Sequence, residues 1–239
     1  MQKPKPKRLD KLERIPWPVF VRQFLRAFEQ GEHVLTLAQN GSGKTFLNRA
    51  LLLNVLNLGA YETILWTKPR DKELDSFYRN AAAPKIIIKD SEYNFKRPKQ
   101  RAIFVRPQAE DMRGLRASQQ DVFSNVLDKL WKNGDWFLYI DELRYIVQQL
   151  GLSEQIQISY TQMRSSGVTI FATMQRPAWA TVEALTESKH VFIGPITGKD
   201  DRTTVVKTYG ETIAQNAADL RKREFIYVGT TFSAIVKVS

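Results

Sequence analysis

Three stretches of this chain bring together residue types that phosphoryl chemistry needs. The first is Ala38-Gln39-Asn40-Gly41-Ser42-Gly43-Lys44-Thr45, with Phe46 directly behind it. It follows the phosphate-loop pattern G-x-x-x-x-G-K-[ST], except that Ala38 stands where the first glycine is expected. Glycines let the backbone turn around a phosphate so that successive N–H groups point inward, and a helix starting here adds a favourable potential for anions. Lys44 can neutralise β- and γ-phosphates, and the Thr45 hydroxyl can hold Mg²⁺. Residues 39–46 are therefore the candidate ATP cradle. The plainer alternative is a Gly-rich turn with an incidental lysine; an apolar strand before it and an amphipathic helix after it speak against that.

The second stretch is Phe137-Leu138-Tyr139-Ile140-Asp141-Glu142. Four apolar residues suit a strand in the middle of a sheet. The two acids then emerge at its C-terminal end, where open α/β sheets bind ligands. Asp141 is the candidate magnesium ligand, acting through water, and Glu142 the candidate general base. Acids also start helices for electrostatic reasons, so this pair gains its meaning from the phosphate loop upstream. The third stretch runs from Arg164 to Gln175-Arg176-Pro177. A strand again ends in a polar residue, Gln175, which could sense the γ-phosphate through a hydrogen bond or merely cap a loop.

The elements that must position these groups can be read from apolar spacing. Phe20, Val21, Phe24, Leu25 and Phe28 predict a helix from Val19, with Gly31 as its stop. Strands are expected at 33–38, 63–66, 86–89, 102–105, 136–140, 168–173 and 190–193. Leu47, Leu51, Asn54, Val55 and Leu58 predict a helix behind the phosphate loop, capped by Gly59. A second helix is expected at 121–132, and helical spacing resumes at Ile156, Tyr160 and Met163 before Gly167. The segment 71–118 reads as less regular. Two apolar runs, 225–228 and 234–238, predict a terminal hairpin within 224–238. Repeated strand–helix steps imply an α/β fold: three layers, a mostly parallel central sheet and the P-loop NTPase (RecA-like) plan. Residues 1–18 read as a basic Lys/Pro-rich arm and 19–239 as one ATPase domain.

In order, GSGKT, an apolar strand with Asp-Glu, and an R-x-x-G–strand–QRP segment resemble the FtsK–HerA superfamily of DNA-pumping ATPases. The resemblance covers roughly residues 33–195, and Met174-Gln175-Arg176-Pro177 makes it specific. It implies ATP and Mg²⁺ as ligands, a homo-oligomeric ring (a hexamer is expected) and double-stranded DNA as the substrate moved. It implies that Gln175 senses nucleotide, and that Arg164 reaches a neighbouring subunit's nucleotide and stabilises transition-state charge in trans. Arg113, Arg116 and Arg176 are rival fingers. Among family members, a compact basic ATPase is most similar to those that package a viral genome into a preformed capsid. A conjugation or mobile-element ATPase, a helicase and a nucleotide-dependent assembly protein remain open, and a small-molecule kinase is disfavoured by the QRP segment.

Composition bounds the rest. The chain has 239 residues, 43% of them hydrophobic, which supports a large core. Cysteine is absent, excluding disulfides and thiol nucleophiles. No apolar run is long enough for a bilayer, so no direct membrane span is expected; a capsid vertex or a membrane protein remains a possible partner. The expected location is cytoplasmic, in the host or the virion if the protein is viral. Thirty-six Lys+Arg against 25 Asp+Glu give a formal charge of +11, which favours a polyanionic partner. Candidate DNA contacts are the arm 3–8, then Lys96, Arg97, Lys99 and Arg101, then Arg221, Lys222 and Arg223. His33 and His190 adjoin apolar runs and read as structural.

Overall fold

The computed structural model describes residues 11–57, 59–90, 92, 93, 95 and 99–238. A short strand, β1 (Arg14–Pro16), leads into α1 (Trp17–Ala27). Pro18 sits in the first turn, where its missing N–H would have no helical partner in any case. Phe20 and Phe24, four residues apart, share the buried face. Then come β2 (His33–Leu37), the phosphate loop, α2 (Lys44–Asn57) and β3 (Glu62–Leu65). α3 (Lys72–Asn80), β4 (Lys85–Ile88), β5 (Ala102–Val105) and the long α4 (Met112–Asn133) follow. β6 (Phe137–Ile140) is succeeded by a π-helical turn, Tyr145–Gln149, then α5 (Ser153–Gln162) and a 3₁₀ turn, Met163–Ser166. β7 (Thr169–Met174), α6 (Val182–Glu187), β8 (Ser188–Ile193), α7 (Lys199–Tyr209) and α8 (Glu211–Ala218) lead to the terminal hairpin, β9 (Glu224–Val228) and β10 (Ser233–Lys237).

Among the described residues the strands form one sheet in the order β1-β10-β9-β8-β2-β7-β6-β3-β5-β4. Every neighbouring pair is parallel except the two made by β9. The phosphate-loop strand β2 thus lies between β8 and β7, and β7 separates it from β6. Side chains alternate across the pleat and feed two cores. Phe137 and Tyr139 pack with α1, α2 and α3, alongside Phe20, Leu51 and Phe77. Leu138 and Ile140 pack on the other face with α4, α5 and α8, alongside Phe123, Ile156 and Ala214. This is the expected three-layer α/β arrangement. Burial on both faces is why the central strands read as continuous apolar runs.

Three differences from the sequence reading have physical causes. β1 pairs with β10, so residues 14–18 belong to the fold and not to the basic arm expected over 1–18. α3 lies inside the segment read as irregular. It buries only Leu74 and Phe77 and is announced by its cap, Asp71, whose side chain accepts from the Glu73 and Leu74 N–H groups. α4 starts nine residues before the expected 121: its first turns bury no side chain, and Gln119 is its first buried residue. Leu58, Lys96, Arg97 and the segment 3–8 lie outside the described residues.

Candidate nucleotide site

Parallel strands deliver their following residues to one edge of the sheet, and the candidate groups gather there. The loop between β2 and α2 turns through Gly41 (φ 78°) and Gly43 (φ 100°), a region that side chains rarely adopt. The Ser42 hydroxyl donates to the Gln39 carbonyl at 2.7 Å, closing the loop from inside. Ala38, in place of the usual first glycine, is almost fully buried. Its methyl group fits because Gly194, just past β8, has no side chain: a Cβ there would stand 2.7 Å from the Ala38 Cβ. The missing glycine of the motif is thus supplied from a neighbouring strand.

Lys44 projects from the first turn of α2, and its ammonium donates to Asn40 Oδ1 at 2.9 Å. Burial lowers its pKa; Glu142 and Asp141 oppose that, and Lys68 adds to it. Asp141 and Glu142 follow β6, as the sequence implies. The Tyr139 hydroxyl donates to Asp141 Oδ1 at 3.0 Å, and the Thr173 hydroxyl of β7 donates to the Asp141 carbonyl oxygen. Gln175, at the tip of β7, donates its amide to Glu142 Oε2 at 2.6 Å. Burial raises the pKa of Glu142, while the Gln175 hydrogen bond and the Lys44 charge pull it back down. The side chain cast as a nucleotide sensor is therefore seated directly on the side chain cast as the base.

Lys68 is the residue that motif reading missed. It follows β3 and donates to Asp141 Oδ2 at 2.8 Å, with Asp71 3.6 Å away. Its raised pKa reflects those two carboxylates outweighing desolvation, the largest single effect. The available signal was positional: β3 is parallel to β6, so its trailing polar residue had to reach the same edge. The cleft has a volume of about 310 Å³. Lys44, Arg49, Lys68, Lys222 and Arg223 line it against Glu73, Asp141 and Glu142, which favours a polyphosphate. Thr45 and Asp141 are oxygen donors of the kind Mg²⁺ takes, and a cation, the Lys68 ammonium, already rests on that carboxylate.

The candidate arginines separate by place. Arg164 sits in the 3₁₀ turn before β7, exposed, at the end of the sheet opposite Gln175. The six residues of β7 put about 20 Å between them, so Arg164 lies out of reach of its own chain's cleft. Arg176 is held by the buried Asp201 at 3.1 Å and stacks on Trp179. Arg113 and Arg116 are exposed in the first turns of α4. Among the expected DNA contacts, Lys99 is exposed, and Arg101 donates to the Gly59 carbonyl at 2.8 Å and lies over Tyr61. Arg221 is exposed, and Lys222 and Arg223 line the candidate cleft.

His33 accepts from the Ile170 N–H at Nδ1 and donates to the Tyr160 carbonyl through Nε2; burial holds its pKa down at about 4. It is a neutral packing residue. His190 is fully buried between the Tyr227 hydroxyl and Glu32. Among the described residues no group of three or more His, Cys, Asp or Glu side chains is placed to hold a metal by itself. No helix there is long and apolar enough to cross a membrane.

No protein-family model and no curated protein sequence matches the chain. Solved structures do. The DNA-packaging ATPase B204 from Sulfolobus Turreted Icosahedral Virus superposes with a TM-score of 0.63 at 15% identity, covering 89% of this chain and 100% of that one. VirB4 of Thermoanaerobacter pseudethanolicus gives 0.65 at 12% identity, over 87% and 89% of the two chains. The bacterial conjugative coupling protein TrwBdeltaN70 gives 0.62 at 12%, over 100% and 96%. At such identities the likeness is one of fold: the chain has the fold that these P-loop ATPases share.

Proposed function

We propose that this protein hydrolyses ATP and uses the energy to move double-stranded DNA, packaging a viral genome into a preformed capsid. The observation that carries the hydrolytic part is the pairing of Glu142 with Gln175 opposite the Lys44 cradle. A half-buried carboxylate with a raised pKa, fixed by an amide from the next strand, suits a base that must accept a proton from water. A nucleotide switch that did not turn over would have no need of it. The DNA part rests on the +11 charge and on the fold shared with a viral DNA-packaging ATPase.

In this reading the 39–46 cradle binds the triphosphate through backbone N–H groups and Lys44. Thr45 and Asp141 would hold Mg²⁺, which would supply positive charge to offset that of the phosphates. Glu142 takes a proton from the attacking water as its oxygen bonds to the γ-phosphorus, and the bond to the β-phosphate bridging oxygen breaks, releasing ADP and phosphate. Lys44 and an Arg164 from the next subunit of a ring, a hexamer in this reading, stabilise the charge that moves onto the leaving oxygens. The ring works in the host cytoplasm or the virion, docked on a capsid vertex or a membrane protein.

A conjugative DNA-transfer ATPase is the second reading, supported by the fold shared with VirB4 and TrwBdeltaN70; a preference for single strands would favour it. The catalytic assignment is tested by Glu142→Gln. Turnover should fall by about 10²- to 10⁴-fold while ATP binding persists. Unchanged turnover would remove Glu142 from the mechanism.

A further inference from the structure

The turn joining α8 to β9 crosses the phosphate loop, and the ATPase motifs do not account for it. At its apex is Arg223, whose backbone has φ 64°, a conformation that costs free energy for a non-glycine residue. Two backbone hydrogen bonds hold it there. Its N–H donates to the Ser42 carbonyl at 3.1 Å, and its carbonyl accepts from the Val238 N–H at 3.1 Å. Arg223 can cross the loop because Gly43 has no side chain: a Cβ on Gly43 would stand 3.0 Å from Arg223 Cγ. The guanidinium ends 4.7 Å from the centroid of the Phe46 ring. Phe46 is 37% exposed and lines the cleft together with Arg223. Arg14, Arg106 and Arg176 each pair with a carboxylate. Arg223 has no such partner among the described residues.

We propose that Phe46 and Arg223 form the seat of the nucleobase, a stacking platform for a purine at the mouth of the cleft. The inference rests on the ATPase reading and extends it to the other half of the substrate. Lys44 and Thr45 fix the phosphate end, and Phe46 is one residue further along the same helix turn. Beyond its phosphates a nucleotide presents a flat π-surface, and a phenyl ring with a planar guanidinium is a surface that stacks with it. Recognition of this kind reads the face of the base, not its edge. The seat therefore takes adenine and guanine nucleotides with little discrimination. The strained backbone at Arg223 is the cost of holding a cationic plane over the loop.

The test uses the full chain and the non-hydrolysable analogues AMPPCP and GMPPCP, with binding followed by calorimetry and folding by thermal melting. Phe46→Leu and Arg223→Lys should each weaken AMPPCP binding on the order of tenfold, and wild-type affinities for the two analogues should agree within about threefold. Arg223→Gly should weaken binding to a similar degree without lowering the Tm, since glycine relieves the backbone. Arg223→Lys binding like wild type would overturn the seat, because charge alone would then suffice. Arg223→Gly with a lowered Tm and unchanged affinity would overturn it too, by making the residue structural. A wild-type chain that binds AMPPCP while these variants do so equally well refutes the seat alone; a wild-type chain that binds neither analogue refutes the ATPase reading and the seat with it.

Discussion

Replacing Gln175 by alanine removes the side-chain donor that Glu142 receives from β7, and the consequences can be worked out from the geometry. The bond is 2.6 Å long and ends on a carboxylate. Hydrogen bonds to charged groups contribute roughly 1.5–3 kcal/mol, and both partners are half-buried, so the lower part of that range applies. That stabilisation belongs to the ionised form of the base, so at about 1.4 kcal/mol per decade its loss should lower the rate by about tenfold at pH values below the Glu142 pKa and little above it. The pH dependence is the sharper readout. The Gln175 amide favours the ionised carboxylate, while burial already pushes the Glu142 pKa above its ordinary value of 4.5. Without the amide the pKa rises further, and the base stays protonated to higher pH. The acid limb of kcat/KM for ATP, followed from about pH 5 to about pH 9, should therefore move upward, with the rate deficit largest at the acid end. A deficit that is uniform across pH, with the acid limb unmoved, would refute the claim that Gln175 acts through Glu142.

Three further outcomes follow from other parts of the molecule. Arg164→Ala should abolish hydrolysis in uniform rings, yet mixing it with Lys44→Ala chains should restore turnover, because each supplies what the other lacks; no restoration would count against a role in trans. Gly194→Ala should destabilise by about 1–3 kcal/mol through the 2.7 Å approach to Ala38, and adding Ala38→Gly should recover most of the loss in a denaturation double-mutant cycle. Glu62→Gln should raise the Tm by an amount that grows with pH. Glu62 is fully buried with no partner on either carboxylate oxygen among the described residues, and burial holds its pKa well above 4.5. The unfolded chain ionises above 4.5 while the folded chain keeps its proton, so wild-type stability falls as pH rises through that window. A Tm difference constant from about pH 5 to about pH 8 would contradict this.

Much of the site was legible because its chemistry is compressed into short contiguous strings. Residues 38–45 and 137–142 carry their own strand and helix context, and the burial of Phe137, Leu138, Tyr139 and Ile140 on both faces of the sheet follows from residue type. The contributions that escaped come from residues whose relevance exists only after folding. Lys68 trails a strand that becomes a neighbour of β6 through pairing. Gly194 matters because β8 pairs with β2. Arg223 matters because the turn leading into the last hairpin crosses the phosphate loop, and in the sequence it looks like one more cation in a basic run. The missed helices share another cause: α3 and the first turns of α4 bury so little that apolar periodicity cannot reveal them. α6, α7 and α8 lie in a stretch whose helical spacing was not apparent, and among the buried residues of α7 is a carboxylate, Asp201.

The central claim, that this protein hydrolyses ATP and does so while working on duplex DNA, is tested most directly by steady-state ATP hydrolysis. Rates are compared without nucleic acid, with double-stranded DNA and with single-stranded DNA, over a range of salt concentrations. A motor that tracks phosphates should be stimulated most by the duplex, and the stimulation should fade as salt displaces the protein from the backbone. Hydrolysis that proceeds at the same rate with duplex, with single strands and with neither would contradict the account.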